Sequence, residues 1–161
     1  MKMIGLATLL LPPAAICFVL ATAHSVGAQS TADRLPDAPG KPTVVAICTS
    51  CHGSDIITDG PRTVEGWIDV TLAMKDFGAT ATEAEWKTVG DYLVTNLALI
   101  EVNKAEAAHL QLVFGVDDAV AKEVVAYRDK QGGFKTIDDL KKAPGLDAAK
   151  IDALKERLIF K

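Results

Sequence analysis

Three residue types are scarce in this chain, and where they stand matters more than how many there are. The 161 residues hold three cysteines, three methionines and three histidines. Cys17, Met1, Met3 and His24 all fall before residue 29. There Lys2 supplies a positive start, an apolar stretch runs from Met3 to Ala23, and Val26-Gly27-Ala28 offers small residues ahead of Gln29. This is the pattern of a secretory signal peptide over 1–28, and it implies an exported, periplasmic protein. The competing reading is an uncleaved anchor, because the apolar run approaches the length of a spanning helix. Pro12-Pro13 and the cleavage point weigh against it, so no stable membrane span is expected after cleavage. Cys17 does not read as a lipid-attachment site, since Ile16 precedes it where a small residue is expected. Without the leader, only Cys48, Cys51, His52, Met74 and His109 remain of the three types. No cysteine is left for a long-range disulfide.

Basic surplus is also missing. From Gln29 to Ile100 there are ten acidic and five basic residues, and from Glu101 to Lys161 eleven of each. Neither half has the excess of Lys and Arg that nucleic-acid binding usually displays. Strand-like alternation is absent throughout, so the fold class expected is all-α. Roughly 130 residues suffice for one ordinary domain or two very small ones.

Pro36, Pro39, Gly40 and small polar residues make 29–41 a flexible lead-in without apolar period. Pro42 suits the first turn of a helix, and Val44, Val45 and Ile47 give that helix an apolar face. Residues 54–61 read as loop. A second helix is predicted from Thr63 to Phe77, with Trp67, Val70 or Thr71, and Met74 at helical spacing. Thr82 and Glu85 form a capping box for a third helix, striped by Trp86, Val89, Leu93 and Leu97. The second half repeats itself at an offset of thirty residues, so that Leu110 to Asp117 lies over Leu140 to Asp147, with Ala119 over Ala149 and Val124 over Leu154. Each copy reads as helix, tight turn at a glycine, helix. Asn103 with Glu106, and Thr136 with Asp139, are the capping pairs expected there. Domains are therefore expected over 42–100 and 101–161.

The surviving cysteines stand in Cys48-Thr49-Ser50-Cys51-His52. Positions i and i+3 share a helix face, so both sulfurs face one edge of a flat macrocycle, and the next residue, His52, is placed to coordinate its iron. Cys-x-x-Cys-His is accordingly read as covalent attachment of one haem c. A thioredoxin-like pair expects a βαβ context, absent here, and a zinc site needs a second pair of ligands that the chain does not have. Met74, the sole mature methionine, is the candidate sixth ligand in the Met/His arrangement of cytochromes c. A core methionine packed beside Trp67 and Phe77, or His109 as the ligand, is the alternative.

Residues 41–100 resemble the small class I cytochromes c in the Cys48–His52 motif, in Met74, and in the last helix around Trp86 to Leu97 with Tyr92-Leu93. The resemblance implies that the first and last helices cross and pack, through Val44 and Leu93. Arg62-Thr63 followed by Trp67 and Met74 looks like the cytochrome domains attached to bacterial periplasmic dehydrogenases, which implies Arg62 as a hydrogen-bond partner of a haem propionate. As a plain loop arginine it needs only solvent. The segment between His52 and Met74 is short for the family, which implies thin haem cover.

Residues 102–161 resemble the ComEA-like tandem helix-hairpin-helix domain of late-competence DNA receptors. The matching strings are Asn103-Lys104-Ala105, Val125-Ala126-Tyr127-Arg128, Gly133-Phe134-Lys135 and Ile137-Asp138-Asp139-Leu140. In the family's DNA-binding members each hairpin is Gly-apolar-Gly, and the backbone N–H groups that follow hold a phosphate. Here the second glycine is lost: Gly115-Val116 runs into Asp117-Asp118, and Gly145-Leu146 into Asp147. A carboxylate there caps the helix itself and repels a phosphate. Lys141, Lys142 and Lys150 remain as a basic cluster or as plain solvated surface.

The function expected is a monohaem electron carrier, not an enzyme, that exchanges electrons with a redox partner such as a dehydrogenase or oxidase. Its second domain serves docking, as the same fold does in the extrinsic photosystem protein PsbU. The alternative is a haem-bearing DNA-binding protein linked to DNA uptake. A haem enzyme such as a peroxidase would need an open iron position.

Overall fold

A computed structural model describes residues 34–161; the expected signal peptide over 1–28 and residues 29–33 of the lead-in lie outside the described residues. The fold is all-α apart from one small pairing of strands. In chain order the elements are α1 (Lys41–Cys48), α2 (Asp55–Thr58), α3 (Val64–Asp76), α4 (Glu83–Asn96), β1 (Ile100–Glu101), α5 (Ala107–Phe114), α6 (Asp118–Gln131), α7 (Ile137–Leu140), α8 (Ala148–Ala153) and β2 (Leu158–Ile159). No helix among the described residues is long and apolar enough to cross a membrane.

Side-chain caps start the two longer helices of the first half. The Thr63 hydroxyl accepts from the Gly66 N–H at 3.2 Å and opens α3. At α4 the Thr82 hydroxyl accepts from the Glu85 N–H, and the Glu85 carboxylate accepts in return from the Thr82 N–H at 2.8 Å. This reciprocal pair satisfies two donors that a helix start leaves open and holds the Glu85 carboxyl below its usual range. Helix α4 is buried on several sides through Trp86, Val89, Tyr92, Leu93 and Val94. It packs against α1, α3 and α5.

The approach of α1 to α4 depends on Gly40. A methyl group there would sit 3.2 Å from both Thr88 Cγ2 and Tyr92 Cβ, a crowding that only glycine avoids. Val44, fully buried, continues the contact along α1. The lead-in differs from expectation over its described part. Leu35 is buried in the core, and the Tyr92 hydroxyl donates to the Pro36 carbonyl at 2.6 Å. One apolar residue and one carbonyl anchor the segment, and neither needs the periodicity that marks a helix or strand. Residues 54–61 likewise contain the single turn α2, held by Ile57 N–H donating to the Ser54 carbonyl at 3.0 Å.

In the second half the repeat appears as two helix-hairpin-helix copies, α5–α6 and α7–α8. Corresponding residues do corresponding work. Leu110 and Leu140 are buried, as are Val124 and Leu154. Gly115 and Gly145 take left-handed φ values of 69° and 73°, and Asp117 and Asp147 are N-caps. Gly145 is doubly constrained, since a Cβ there would lie 2.6 Å from Val120 Cγ1. Thr136 and Asp139 form a full capping box at α7. Asn103 does not cap α5, which starts at Glu106 without a side-chain cap. Its amide instead accepts from the Phe134 N–H at 2.7 Å and donates to the Phe134 carbonyl at 2.8 Å. A side-chain amide carries both a donor and an acceptor, and so satisfies both peptide groups of a residue thirty-one positions away.

The two halves are bound together at the end of α4. Arg157, just before β2, donates from Nη2 to the Val94 carbonyl, from Nη1 to Thr95 and from Nε to Ala98, all at 2.8–2.9 Å. Beside it, β1 runs parallel to β2, pairing Ile100 with Leu158 and Glu101 with Ile159. These strands are too short for alternation to show in sequence. Arg157→Ala is expected to lower stability by about 3 kcal/mol, because charged hydrogen bonds are lost and carbonyls at the helix end go unmet. Arg157→Lys should recover little of it, lacking the planar fork. Urea unfolding checks both, and a wild-type midpoint in the alanine variant would refute the assignment.

Candidate functional site

Helices α1, α3 and α4 with the α2 turn enclose a cavity of about 380 Å³. Cys48, Cys51, His52, Arg62 and Met74, the five residues singled out from the sequence, all line it. His109, the rival ligand, sits on α5 and does not line it. Ile47, Ile57, Val70, Trp86, Val89 and Leu93 supply much of an apolar wall, and Ile56 and Phe77 stand at the border.

Cys48 is the last residue of α1, and Cys51 lies in the turn beyond it. The pair is thus set by a helix end followed by a tight turn, not by one continuous helix. The Thr49 hydroxyl donates to the Val45 carbonyl at 2.6 Å and that of Ser50 to the Ile47 carbonyl at 2.8 Å, which fixes the turn. Both thiols are free. Burial pushes the Cys48 thiol above its ordinary pKa, whereas Cys51 is exposed.

His52 Nδ1 lies 3.1 Å from the Gly53 carbonyl. A carbonyl only accepts, so Nδ1 is the donor in this contact, and in the neutral ring with that tautomer Nε2 carries the lone pair. The same kind of outer hydrogen bond orients metal-binding imidazoles in general. Met74 comes from the last turns of α3. Trp67, Val70 and Thr71 share its face, so the stripe expected from the sequence is one wall of the cavity. Among the described residues there is no cluster of three or more His, Cys, Asp or Glu suited to a metal ion; a His/Met pair around a macrocycle requires none.

Arg62 is not a free loop arginine. It donates from Nη1 to the Gly60 carbonyl at 2.9 Å, and its guanidinium lies 5.1 Å from the centre of the Trp67 ring. Its own carbonyl accepts from the Leu99 N–H at 2.8 Å, tying the loop to the end of the first half. Sequence reasoning placed Trp67 on the apolar stripe and overlooked its polar atom. Among the described residues the buried Trp67 Nε1–H has no acceptor, although a buried indole N–H usually finds one. Ser54, fully buried, has a hydroxyl in the same condition. Nothing in the sequence signals either.

The second half offers a different geometry. Asp117 accepts from the Val120 N–H at the start of α6, and Asp147 from the Lys150 N–H at the start of α8, each at 2.8 Å. At both hairpins a carboxylate occupies a donor that faces outward at a helix start. Of the lysine cluster, Lys141 pairs with Asp152 at 2.6 Å and Lys142 with Asp139 at 3.1 Å.

Comparison with known proteins bears on this half. Residues 95–159 match the family model for the helix-hairpin-helix motif. The chain carries a helix-hairpin-helix domain. It is 33% identical over 64 residues to ComE operon protein 1 of Bacillus subtilis (strain 168), covering 40% of this chain and 31% of that protein. It is 36% identical over 63 residues to endonuclease/exonuclease/phosphatase family domain-containing protein 1 of Danio rerio, covering 39% of this chain and 12% of that one. With Protein tex of Bordetella pertussis it shares 45% identity over 49 residues, 30% of this chain and 6% of the relative. The chain thus spans less than a third of the length of each of these relatives. No solved structure matches it significantly. The Cys48–His52 motif lies outside the matched stretch.

The unequal thiols give a direct check. In the chain with both thiols free at neutral pH, iodoacetamide is expected to modify exposed Cys51 several-fold faster than Cys48, whose raised pKa and burial suppress the thiolate. Peptide mass spectrometry over time reads the order, and faster labelling of Cys48 would overturn this account of the site.

Proposed function

We propose that residues 41–100 form a c-type cytochrome domain that carries electrons, joined to the helix-hairpin-helix domain as a docking module, in a protein exported to the periplasm. The observation that carries this reading is the convergence of Cys48, Cys51, His52, Arg62 and Met74 on one largely apolar cavity. The residues fit a haem. Two thiols stand beside an imidazole, a thioether lies on another wall, and Trp67 Nε1–H is a buried donor without an acceptor among the described residues. Cys48 and Cys51 would hold the macrocycle through thioethers, and His52 and Met74 would bind its iron. Arg62 and Trp67, stacked on each other, would present donors to a propionate. When bound, haem supplies a one-electron Fe(III)/Fe(II) couple, and a thioether ligand favours the ferrous side.

The chain's own part is to keep that couple simple. His52 and Met74 would supply two protein ligands to the iron, which suits electron transfer more than small-molecule activation. The apolar walls from α3 and α4 exclude water. A redox protein, such as a dehydrogenase or an oxidase, is the partner this implies. Met74→Ala separates ligand from core methionine. Loss of the low-spin ferrous spectrum with haem still covalently attached is the expected result, and an unchanged low-spin spectrum would sink Met74 as ligand. A chain exported with the haem-maturation machinery that carries no covalent haem would sink the reading as a whole.

A second reading is favoured by the family match and by the resemblance to ComEA-like domains: a haem-bearing protein that binds DNA. The comparisons support this better than they support electron transfer, since they fall on the helix-hairpin-helix motif. The Asp117 and Asp147 caps stand against a phosphate grip of the usual kind. A gel shift with duplex DNA decides. Weak or no binding is expected for the parent chain, with a gain of roughly ten-fold or more in Asp117→Gly/Asp147→Gly, where each hairpin regains its second glycine and loses a negative charge. Tight, steeply salt-dependent binding by the parent would favour the DNA reading instead.

A further inference from the structure

The described residues expose four large apolar side chains, Ile56, Ile68, Leu72 and Phe77, all in the first half. Ile56 and Phe77 border the cavity, and a group bound there accounts for them. Ile68 and Leu72, 48% and 53% exposed, do not line it. They stand one turn apart on a different face of α3, along a shallow groove of about 210 Å³ between α3 and α4. Trp67 and Trp86 form part of its floor, and Gly90 lies on its α4 side.

Gly90 is the unexplained element of that groove. It sits in the middle of α4, where glycine costs stability relative to alanine. Its backbone needs no special φ, and a Cβ built on it would meet nothing within 4 Å. No neighbour among the described residues occupies the place of the missing side chain, so that place is open to a group from outside. The absent side chain leaves a notch in the wall of an exposed apolar groove.

Charge identifies what approaches. Glu65, Asp69 and Asp76, all exposed, follow one strip of α3 beside Ile68 and Leu72. Glu83 adds a further exposed carboxylate at the start of α4. These two helices carry only two cations, Lys75, which lines the groove 4.9 Å over the Trp86 ring, and Lys87, which pairs with Asp91 at 2.6 Å, so the exposed carboxylates stand in excess. A second copy meeting this face with its own would bring acid against acid, and an anionic membrane would be repelled in the same way. We propose that the α3–α4 groove is a docking surface for a basic protein, one of whose apolar side chains seats in the Gly90 notch. The proposal rests on the groove and not on the haem reading. If both hold, the partner lies against Trp67 and Trp86, which wall the groove on one side and the cavity on the other.

The test uses the full mature chain as purified, labelled with 15N, and titrated with an amphipathic helical peptide that bears leucines on one face and lysines around it. A version with glutamates in place of lysines is the control. Saturable shifts confined to amides of α3 and α4 are expected with the lysine peptide, weakening as salt rises. Gly90→Leu should bind roughly ten-fold more weakly, since the filled notch denies a side chain its burial. Gly90→Ala should raise Tm, which shows that the glycine is not kept for folding, and exposed Leu72→Ser serves as the second variant, weakening binding without loss of fold. Undiminished binding by Gly90→Leu, equal binding of the glutamate peptide, or shifts that map to the second half would overturn the proposal. So would a doubling of mass in sedimentation that Gly90→Leu abolishes, because the occupant would then be a second copy.

Discussion

The contact of Arg157 with the end of α4 is the joint on which the architecture depends. A helix leaves its last carbonyls without partners, and α4 ends inside the molecule, between the halves, where water cannot meet them all. One planar guanidinium answers the Val94, Thr95 and Ala98 carbonyls together, and its positive charge suits the negative end of the helix dipole. Burial lowers the pKa of that guanidinium, yet arginine stays charged far above neutral pH. Lysine would bring the same charge without the fork. The residue that completes the first half thus comes from near the end of the second, which leaves the helix-hairpin-helix domain part of the first half's fold.

Helix α4 passes that dependence on to the site. Its capping box fixes one end, Arg157 fixes the other, and between them Trp86, Val89 and Leu93 line the cavity while Tyr92 meets α1 at Gly40. Cys48 ends α1, so the distance between the cysteine pair and the opposite wall is set by how closely α1 and α4 approach. Gly40 determines that approach by having no side chain. The same helix shapes the groove on its other side. A change at the joint would therefore be felt in the cavity through packing, without any contact between Arg157 and the site residues.

How much of this was legible in the sequence depends on the range of each interaction. The Thr82–Glu85 box, the Thr136–Asp139 box and the thirty-residue repeat are local or periodic, and they stand as read. The convergence of Met74 on the cysteine pair was approachable because so few alternatives existed after 28 residues were set aside. What escaped was non-periodic and distant. Arg157 looks like one of eleven basic residues in a charge-balanced half. Asn103 looks like a helix cap because Glu106 follows at the right spacing, but its amide found a better use across thirty-one residues at Phe134. Leu35 is a single apolar residue in a Pro- and Gly-containing stretch, with no pattern to announce its burial. The Trp67 N–H could not be read at all, because the lack of an acceptor is a property of three-dimensional surroundings.

The hairpins depart from the Gly-apolar-Gly pattern at the point where the following helix begins. A helix-hairpin-helix start is stable only when its outward N–H groups are answered. In a DNA-binding hairpin the phosphate answers them after binding, so the free protein leaves the donors to water. In this chain Asp117 and Asp147 answer them permanently, at 2.8 Å and with negative charge at the positive end of α6 and α8. The substitution that stabilises the free fold thus acts against the ligand twice, by filling the donor and by repelling the anion. The same two copies still bury Leu110, Leu140, Val124 and Leu154 and still bring Arg157 to α4. Those packing features need none of the phosphate donors.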